Sequence, residues 1–455
     1  MIGRRLFATF LLVAGVAFPA SGPAAGAGRG GGGTLLYQRV RHVVTAGGSP
    51  GSGCRSVTVL ELLDAGTIRP DGTGRTRLAL EDHVMSRVRT GGWDRFFYVA
   101  TPADPVRRFG PVGRSGVVET VNWEAPSQSV RGASLSGGKG TAVVVRETGG
   151  RFPGDLQVSP GNGHVVCPWT RRMTPPKGQV YFGRFDPFSD EAALLIADPV
   201  TGARRTALDG EYSRALFESF ADLSTDGRWF YTVAHCGRGF ELVGVELATG
   251  RVRTFPELFP RFDPGSLPWN ELYPKGRGVA WPTFRISPDR TRLAVTRDVY
   301  DHSCNVTTCS CVVHHTLWIV SLDGGPARVE RGRVGYVTDL RWSPDGSRLA
   351  VASVDSGGCN PEYVGSRIEL LDRNGRPMRT VLRKAHTKVT SVRWSPDGRR
   401  LGWDRYGTDL VGRLEVADVA SGAVREVVNT RELGIPVDRK HPVTLLLCAW
   451  LPERR

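Results

Sequence analysis

The stretch Trp342-Ser343-Pro344-Asp345-Gly346-Ser347-Arg348-Leu349-Ala350 recurs as Trp394-Ser395-Pro396-Asp397-Gly398-Arg399-Arg400-Leu401-Gly402. Weaker copies follow the same plan at Ile286-Ser287-Pro288-Asp289, Leu223-Ser224-Thr225-Asp226-Gly227 and Val158-Ser159-Pro160-Gly161. Anchored on the serine, positions 159, 224, 287, 343 and 395 are separated by 65, 63, 56 and 52 residues. Proline fixes φ, aspartate bonds the following backbone N–H groups and glycine supplies a positive φ, so each copy reads as a tight turn between two strands. A repeat of this length has room for four short strands.

Around the sharpest copy, an apolar strand over Val337–Trp342 enters the turn and a second, Arg348–Ser353, leaves it. A third strand over Ser366–Leu371, a glycine turn at Arg373-Asn374-Gly375 and a fourth strand over Met378–Leu382 follow. The third strand with its glycine turn recurs at Phe240–Gly250, Thr316–Gly325 and Gly412–Gly422, and no helical period of comparable length appears. Cys448-Ala449-Trp450-Leu451-Pro452 matches a first strand ending on its Trp. The strands that complete it come from the other end of the chain: Leu35–Arg41, Ser56–Leu63 and Thr76–Leu80. A degenerate copy around Val88–Gly92, followed by Phe96–Ala100, adds a unit before Ser159, while Val118–Val145 is weakly patterned. The expected fold is therefore all-β: a closed β-propeller of four-stranded antiparallel blades. Seven blades are favoured, with six the alternative count, and the N- and C-terminal strands share one blade, which removes free sheet edges.

Composition agrees. Of 455 residues, 57 are Gly and 30 are Pro, about a fifth of the chain against an ordinary level of about 12%; this surplus is the turn chemistry of the repeat. With 40% hydrophobic residues and 11 Trp the chain can bury a large core, which excludes wholesale disorder. Of the 60 basic residues only six are Lys, and the net charge is +15. The arginines are scattered, without a run of five or six basic residues, so they read as a solvated basic surface and no nucleic-acid partner is expected.

Arg4 and Arg5, the apolar run Leu6–Phe18 and the small-residue region Pro19–Ala27 read as a secretory signal peptide over residues 1–27. A Gly-rich linker follows at 28–33, then a single propeller domain over 34–455. The apolar run is short for a spanning helix, and Cys54 is too distant to accept a lipid. The mature chain is expected to be secreted, extracytoplasmic and without stable membrane insertion, in a disulfide-permissive place; an uncleaved anchor is the alternative.

The Trp-Ser-Pro-Asp-Gly-x-x-Leu copies resemble the repeat of TolB-type, WD40-like β-propellers, which is also found in the propeller half of prolyl oligopeptidases. The resemblance is sharpest over residues 155–410. It implies a fold more firmly than a function, and a group that includes exported scaffolds binding proteins or peptides. TolB relatives carry an additional N-terminal domain, whereas here Gly28–Gly33 leads straight into strands. Within the repeat, Asp226, Asp289, Asp345 and Asp397 read as turn residues, and Trp342, Trp394 and Trp450 as packing between blades.

Consecutive strands alternate direction, so the Ser-Pro-Asp-Gly turns share one face and the loops after second and fourth strands share the other. That second face collects Cys54, Cys236, Cys304, Cys309, Cys311 and Cys359, together with His42, His235, His302, His386 and His441. Any binding site is expected there, at the central mouth. The densest cluster adds His314 and His315 to Cys304, Cys309 and Cys311. Zinc or copper could be held at such spacing, but paired Cys-x-x-Cys knuckles are missing. The bland reading is a stapled insertion in which these three thiols and Cys359 form two disulfides. Cys167 and Cys236 are a further candidate pair, and Cys448 either stays unbridged or joins Cys54; connectivity is not deducible from sequence.

Enzyme motifs mostly fail. Gly132-Ala133-Ser134-Leu135-Ser136 lacks the final Gly of a nucleophile elbow, and Gly137-Gly138-Lys139-Gly140-Thr141 lacks the Ser or Thr that should directly follow the Lys of a phosphate loop. The expected function is an exported, non-catalytic, monomeric propeller, without cofactor, that binds a protein, a peptide or a cell-envelope glycan. The alternative is a metal-assisted hydrolase or lyase acting on extracellular polysaccharide, with His42, His235, His302, His386 and His441 as ligands.

Overall fold

A computed structural model describes residues 33–46, 56–78, 80, 83–84, 90, 95–101, 106–109, 118–121, 129–135, 142–146, 151–153, 157–158, 165–171, 192–198, 200–201, 203–208, 216–235, 240–255, 283–299, 314–322, 328–333, 335–355, 365–437 and 442–453. The chain divides into two compact units, and all of these residues belong to the second, Gly32–Arg455. They form strands and turns, with no helix among them.

The turn chemistry explains the strand boundaries. The Ser343 hydroxyl donates to Asp345 Oδ1 (2.5 Å) and accepts from the Arg348 amide (2.9 Å), while Asp345 Oδ1 accepts from the Ser347 amide (3.0 Å). The Gly346 N–H closes on the Ser343 carbonyl at 2.9 Å with φ of 68°. The same serine-to-aspartate bond, at 2.6 Å, recurs at Ser224–Asp226, Ser287–Asp289 and Ser395–Asp397. These bonds span only two to five residues, so the turn forms wherever its residues occur. In one copy Arg290 takes the glycine position, with φ of 60°, and its Nη1 reaches Asp226 Oδ2 of the preceding sheet at 2.9 Å.

Four sheets hold four antiparallel strands each, in chain order. The first comprises Leu216–Leu223, Trp229–His235, Phe240–Glu246 and Val252–Phe255; the second Phe284–Ile286, Arg292–Val299, His314–Ser321 and Arg328–Arg333. The third comprises Tyr336–Trp342, Arg348–Val354, Gly365–Asp372 and Pro377–Ala385; the fourth Thr387–Trp394, Arg400–Gly407, Gly412–Asp418 and Val424–Asn429. Upstream lies a five-stranded sheet in which Arg151–Pro153 and Gln157–Val158 both pair with Val165–Arg171, followed by Ala192–Ala197 and Arg204–Leu208.

An eight-stranded sheet joins the ends of the unit. Val443–Leu451 pairs with Thr34–Ala46, placing Trp450 opposite Leu35 and Thr444 opposite Val40, so the terminal strands share a sheet as the sequence suggests. Thr34–Ala46 pairs in turn with Ser56–Ile68. The separation of the next unit is a correction. The degenerate turn expected around Val88–Gly92 falls, in chain order, between His83–Val84 and Arg95–Thr101, but these strands form no separate sheet: Val84 stands opposite both Leu62 and Ala100. Ser56–Ile68 is thirteen residues long and Thr76–Leu78 covers only Ala65–Thr67, which leaves edge for a further strand. Arg95–Thr101, Ser129–Ser134 and Ala142–Arg146 complete this sheet. The weakly patterned Val118–Val145 region also contributes Val118–Val121 to a separate ribbon with Val106–Phe109.

Sheets pack face to face, so inner strands are buried on both sides and read as continuous apolar runs. Between the third and fourth four-stranded sheets, Ala350, Ala352, Ile368 and Leu370 meet Val389, Val392, Trp394, Leu401 and Trp403. Leu414, Val416 and Val428 of the fourth meet Leu35, Tyr37, Leu445, Leu447 and Trp450 of the terminal sheet. At the outer edge Arg379 donates to the carbonyls of Val419, Ala420 and Ser421 in the next sheet, at 3.1, 3.1 and 3.2 Å. Gly412 lies at the terminal contact, where a Cβ would stand 2.8 Å from the Leu445 nitrogen and the Thr444 Cα. Backbone cannot yield as a side chain can, so Gly412→Ala is expected to destabilise by about 2 kcal/mol. Chemical denaturation reads this as a lowered midpoint; an unchanged midpoint would contradict the packing.

Candidate functional site: a row of charges on the first strands

The first strand of each four-stranded sheet packs against the first strand of the next, and Thr387–Trp394 packs against Val443–Leu451. Of the fourth strands, Pro377–Ala385 is exposed along most of its length. First strands thus form an inner seam. Two residues before the turn serine, this seam carries Asp222, Arg285, Arg341 and Arg393 on successive sheets. Four residues before it stand Asp339 and Ser391.

Asp339 gathers the arginines. Its Oδ2 accepts from Arg393 Nη1 at 2.6 Å and from Arg341 Nε at 3.3 Å, and its Oδ1 lies 3.6 Å from Arg285 Nη2. It also accepts from the Leu340 and Val392 amides, at 3.0 and 3.3 Å. Burial alone would raise the Asp339 carboxyl, but Arg341, Arg393 and Arg285 outweigh it and hold it well below the usual carboxylate range. Arg341 is pushed well below its ordinary value by burial and by the like charges of Arg285 and Arg393, with Asp339 and Asp222 opposing. At the end of the row burial raises Asp222, against the pull of Arg285, and its Oδ2 accepts from the Ile286 amide at 3.0 Å.

Backbone bonds lock this row across sheets. Trp342 Nε1 donates to the Arg285 carbonyl at 3.0 Å and Trp394 Nε1 to the Arg341 carbonyl at 2.9 Å, so these indoles both pack and bond between neighbouring sheets. Trp450 packs in the same manner without that bond: its Nε1 is buried with no hydrogen-bond partner among the described residues. Arg393 Nε donates to the Cys448 carbonyl at 2.7 Å and Ser391 Oγ to the Leu447 carbonyl at 2.9 Å, tying the fourth sheet to the terminal strand. Asp404 accepts from Thr390, Ser391 and the Leu447 amide. A second buried ion pair, Arg405–Glu415, also takes the Trp403 indole N–H on Glu415 Oε2 at 2.8 Å. Its groups are spent on one another, which marks it as structural.

The histidines expected at the opposite mouth are only partly placed. His42 stands opposite Leu60, His235 opposite Phe240 at a strand end, and His314 and His315 open a third strand opposite Val299 and Asp298. His386 is exposed between a fourth and a first strand, with φ of 54°. His302 and His441 lie outside the described residues, as do Cys54, Cys236, Cys304, Cys309, Cys311 and Cys359. Cys167 stands opposite Leu195. The half-buried Cys448 has its Sγ 3.6 Å from the Leu446 carbonyl and 4.0 Å from Gln38 Oε1. Among the described residues no three His, Cys, Asp or Glu side chains are grouped as metal ligands. Sequence reasoning missed the arginine row, although Arg at one position of three consecutive copies was a visible signal. The row occupies the half of the first strands next to the Ser-Pro-Asp-Gly turns.

Residues 326–357 and 375–405, which contain the two sharpest turn copies, match the WD40 family, described as WD domain, G-beta repeat. These two stretches thus read as WD40 repeats, in keeping with the resemblance that the turn copies carry. Over 428 residues it is 27% identical to Tricorn protease homolog 1 of Streptomyces coelicolor (strain ATCC BAA-471 / A3(2) / M145), which covers 80% of this chain and 39% of that relative. The chain therefore spans well under half the length of this curated relative. Among solved structures it is similar to TolB from Acinetobacter baumannii, with 11% identity and a TM-score of 0.41 over 91% of this chain and 82% of that one. A Lactobacillus plantarum protein gives 11% identity and a TM-score of 0.47, over 90% and 99% of the two chains. No helix among the described residues is long and apolar enough to cross a membrane.

Proposed function

We propose that this chain is an exported, closed, seven-bladed propeller that acts as a non-catalytic binding scaffold for a protein, peptide or cell-envelope partner. The pairing of Val443–Leu451 with Thr34–Ala46 carries this reading. With it, the terminal strand, Thr34–Ala46, Ser56–Ile68 and Thr76–Leu78 make one blade of four strands. His83–Val84, Arg95–Thr101, Ser129–Ser134 and Ala142–Arg146 make the next, and the five-stranded sheet with the four four-stranded sheets supplies five more. Joined edges give a rigid frame that needs no second copy to cover them, so the chain acts as a monomer. Its connecting loops are then the surface that varies and binds. Export is supported by Arg4, Arg5 and the apolar run Leu6–Phe18.

Expression in a secreting host tests export: the secreted chain is expected to begin near residue 28 by mass spectrometry, and retention of residues 1–27 would overturn cleavage. Capture from envelope fractions, repeated with the purified partner, is expected to be lost on deletion of residues 302–315 while the unfolding midpoint holds. Retained capture would move the binding surface elsewhere. Stoichiometric zinc or copper in the purified protein would favour the hydrolase or lyase reading instead.

A further inference from the structure

We propose that Arg285, Arg341 and Arg393, on three consecutive first strands, form a receptor for one monoanionic oxyanion, a carboxylate group. This rests on reading the chain as a binding propeller and assigns a chemical class to what its inner seam takes.

The starting observation is unspent donors. A guanidinium carries five N–H groups in a planar fork. Arg393 uses Nε on the Cys448 carbonyl, and Nη1 on Asp339 and the Val392 carbonyl. Arg341, by contrast, donates only from Nε, to Asp339; its two terminal nitrogens have no partner among the described residues. Arg285 donates from Nη1 to the Phe284 carbonyl, and its Nε is buried without a hydrogen-bond partner among the described residues. An inter-sheet clamp accounts for Arg393 but leaves the free donors of Arg341 and Arg285 unexplained.

Charge points the same way. Three guanidiniums face two carboxylates, Asp339 and Asp222, and the side chains of Arg285, Arg341 and Arg393 are only 22%, 24% and 11% exposed. Buried like charges repel one another, and an unpaired buried charge is costly. One added negative charge balances the count, and a planar carboxylate matches the guanidinium fork in two parallel bonds. A phosphate dianion would overshoot the balance and stand close to the Asp339 carboxylate. Exposure of about a quarter at Arg341 leaves a route for a small anion to enter.

The test is thermal unfolding of the full secreted chain at constant ionic strength, titrated with sodium acetate, sodium phosphate and sodium chloride. Acetate is expected to raise the midpoint saturably, by about 2 °C at ten times its dissociation constant, and chloride is not. Arg341→Gln is expected to weaken the acetate effect at least tenfold, while Arg399→Gln, in an exposed turn, leaves it intact. Should Arg341→Gln fail to fold, Arg341→Lys keeps the charge without the fork and is expected to lose most of the effect. No saturable acetate shift, or an equal shift in a folded Arg341 variant, overturns the proposal. A response to phosphate alone overturns the carboxylate assignment. Loss of the anion effect with partner capture intact would remove this site and leave the scaffold reading standing; loss of capture with the anion effect intact would do the reverse.

Discussion

Truncation after Pro442 is expected to abolish cooperative unfolding. The deletion removes Val443–Leu451, which carries Leu445, Leu447 and Trp450, at 2%, 0% and 7% exposure, into the core shared with Leu35, Tyr37, Leu414 and Val416. Losing a single large buried side chain costs about 2 to 5 kcal/mol, and a whole domain is stable by only about 5 to 15 kcal/mol. Three such losses, with the ladder to Thr34–Ala46, therefore exceed what the fold can absorb. Two further consequences are expected. Thr34–Ala46 becomes an unpaired edge, which promotes association, and Arg393 and Ser391 lose the Cys448 and Leu447 carbonyls to which they donate. Circular dichroism against temperature should show a broad transition without a midpoint, and size-exclusion chromatography should show aggregates. A synthetic peptide spanning residues 440–455, added in trans, should restore part of the transition. A truncated chain that still melts cooperatively within a few degrees of the intact one would refute the role assigned to this strand.

The second large effect is expected at Asp339→Asn. The side chain keeps its volume, but three neighbouring guanidiniums lose their common counter-charge. Removing one partner of a buried ion pair costs about 3 to 5 kcal/mol, to be read as a lowered denaturation midpoint. The pH dependence follows from the direction of the shift. Asp339 is held below the usual range in the folded chain, so its contribution is fully present above the unfolded value of about 4 and is lost as pH falls below it. The gap between wild type and Asp339→Asn should therefore be widest above about pH 4 and narrow on acidification. Asp222 is shifted the other way by burial, so Asp222→Asn should cost less than Asp339→Asn. Equal effects of the two substitutions would show that the row is not organised around Asp339.

Much of the fold is legible in the chain because its information is local. Ser343, Asp345 and Gly346 make their turn with partners two to five residues away, so the motif can be recognised wherever it recurs. The apolar strand Arg348–Val354 reads as buried because both of its faces are covered. The terminal pairing was also readable, since Cys448–Pro452 has the pattern of a first strand and Leu35–Arg41 that of a second. The bridging His83–Val84 was not, because it depends on how much edge Ser56–Ile68 leaves open once Thr76–Leu78 has paired.

The sequence by itself determined the repeat, its turn chemistry, the all-β class and the partnership of the two terminal strands, since each is written in neighbouring residues or in regular spacing. Tertiary structure alone decided the charged row. Arg285, Arg341 and Arg393 lie 56 and 52 residues apart and looked like members of a scattered basic surface. Packing of first strands side by side brings them onto Asp339. Burial then turns what would be weak solvated charges into strongly coupled ones, because the interior screens them far less than water does.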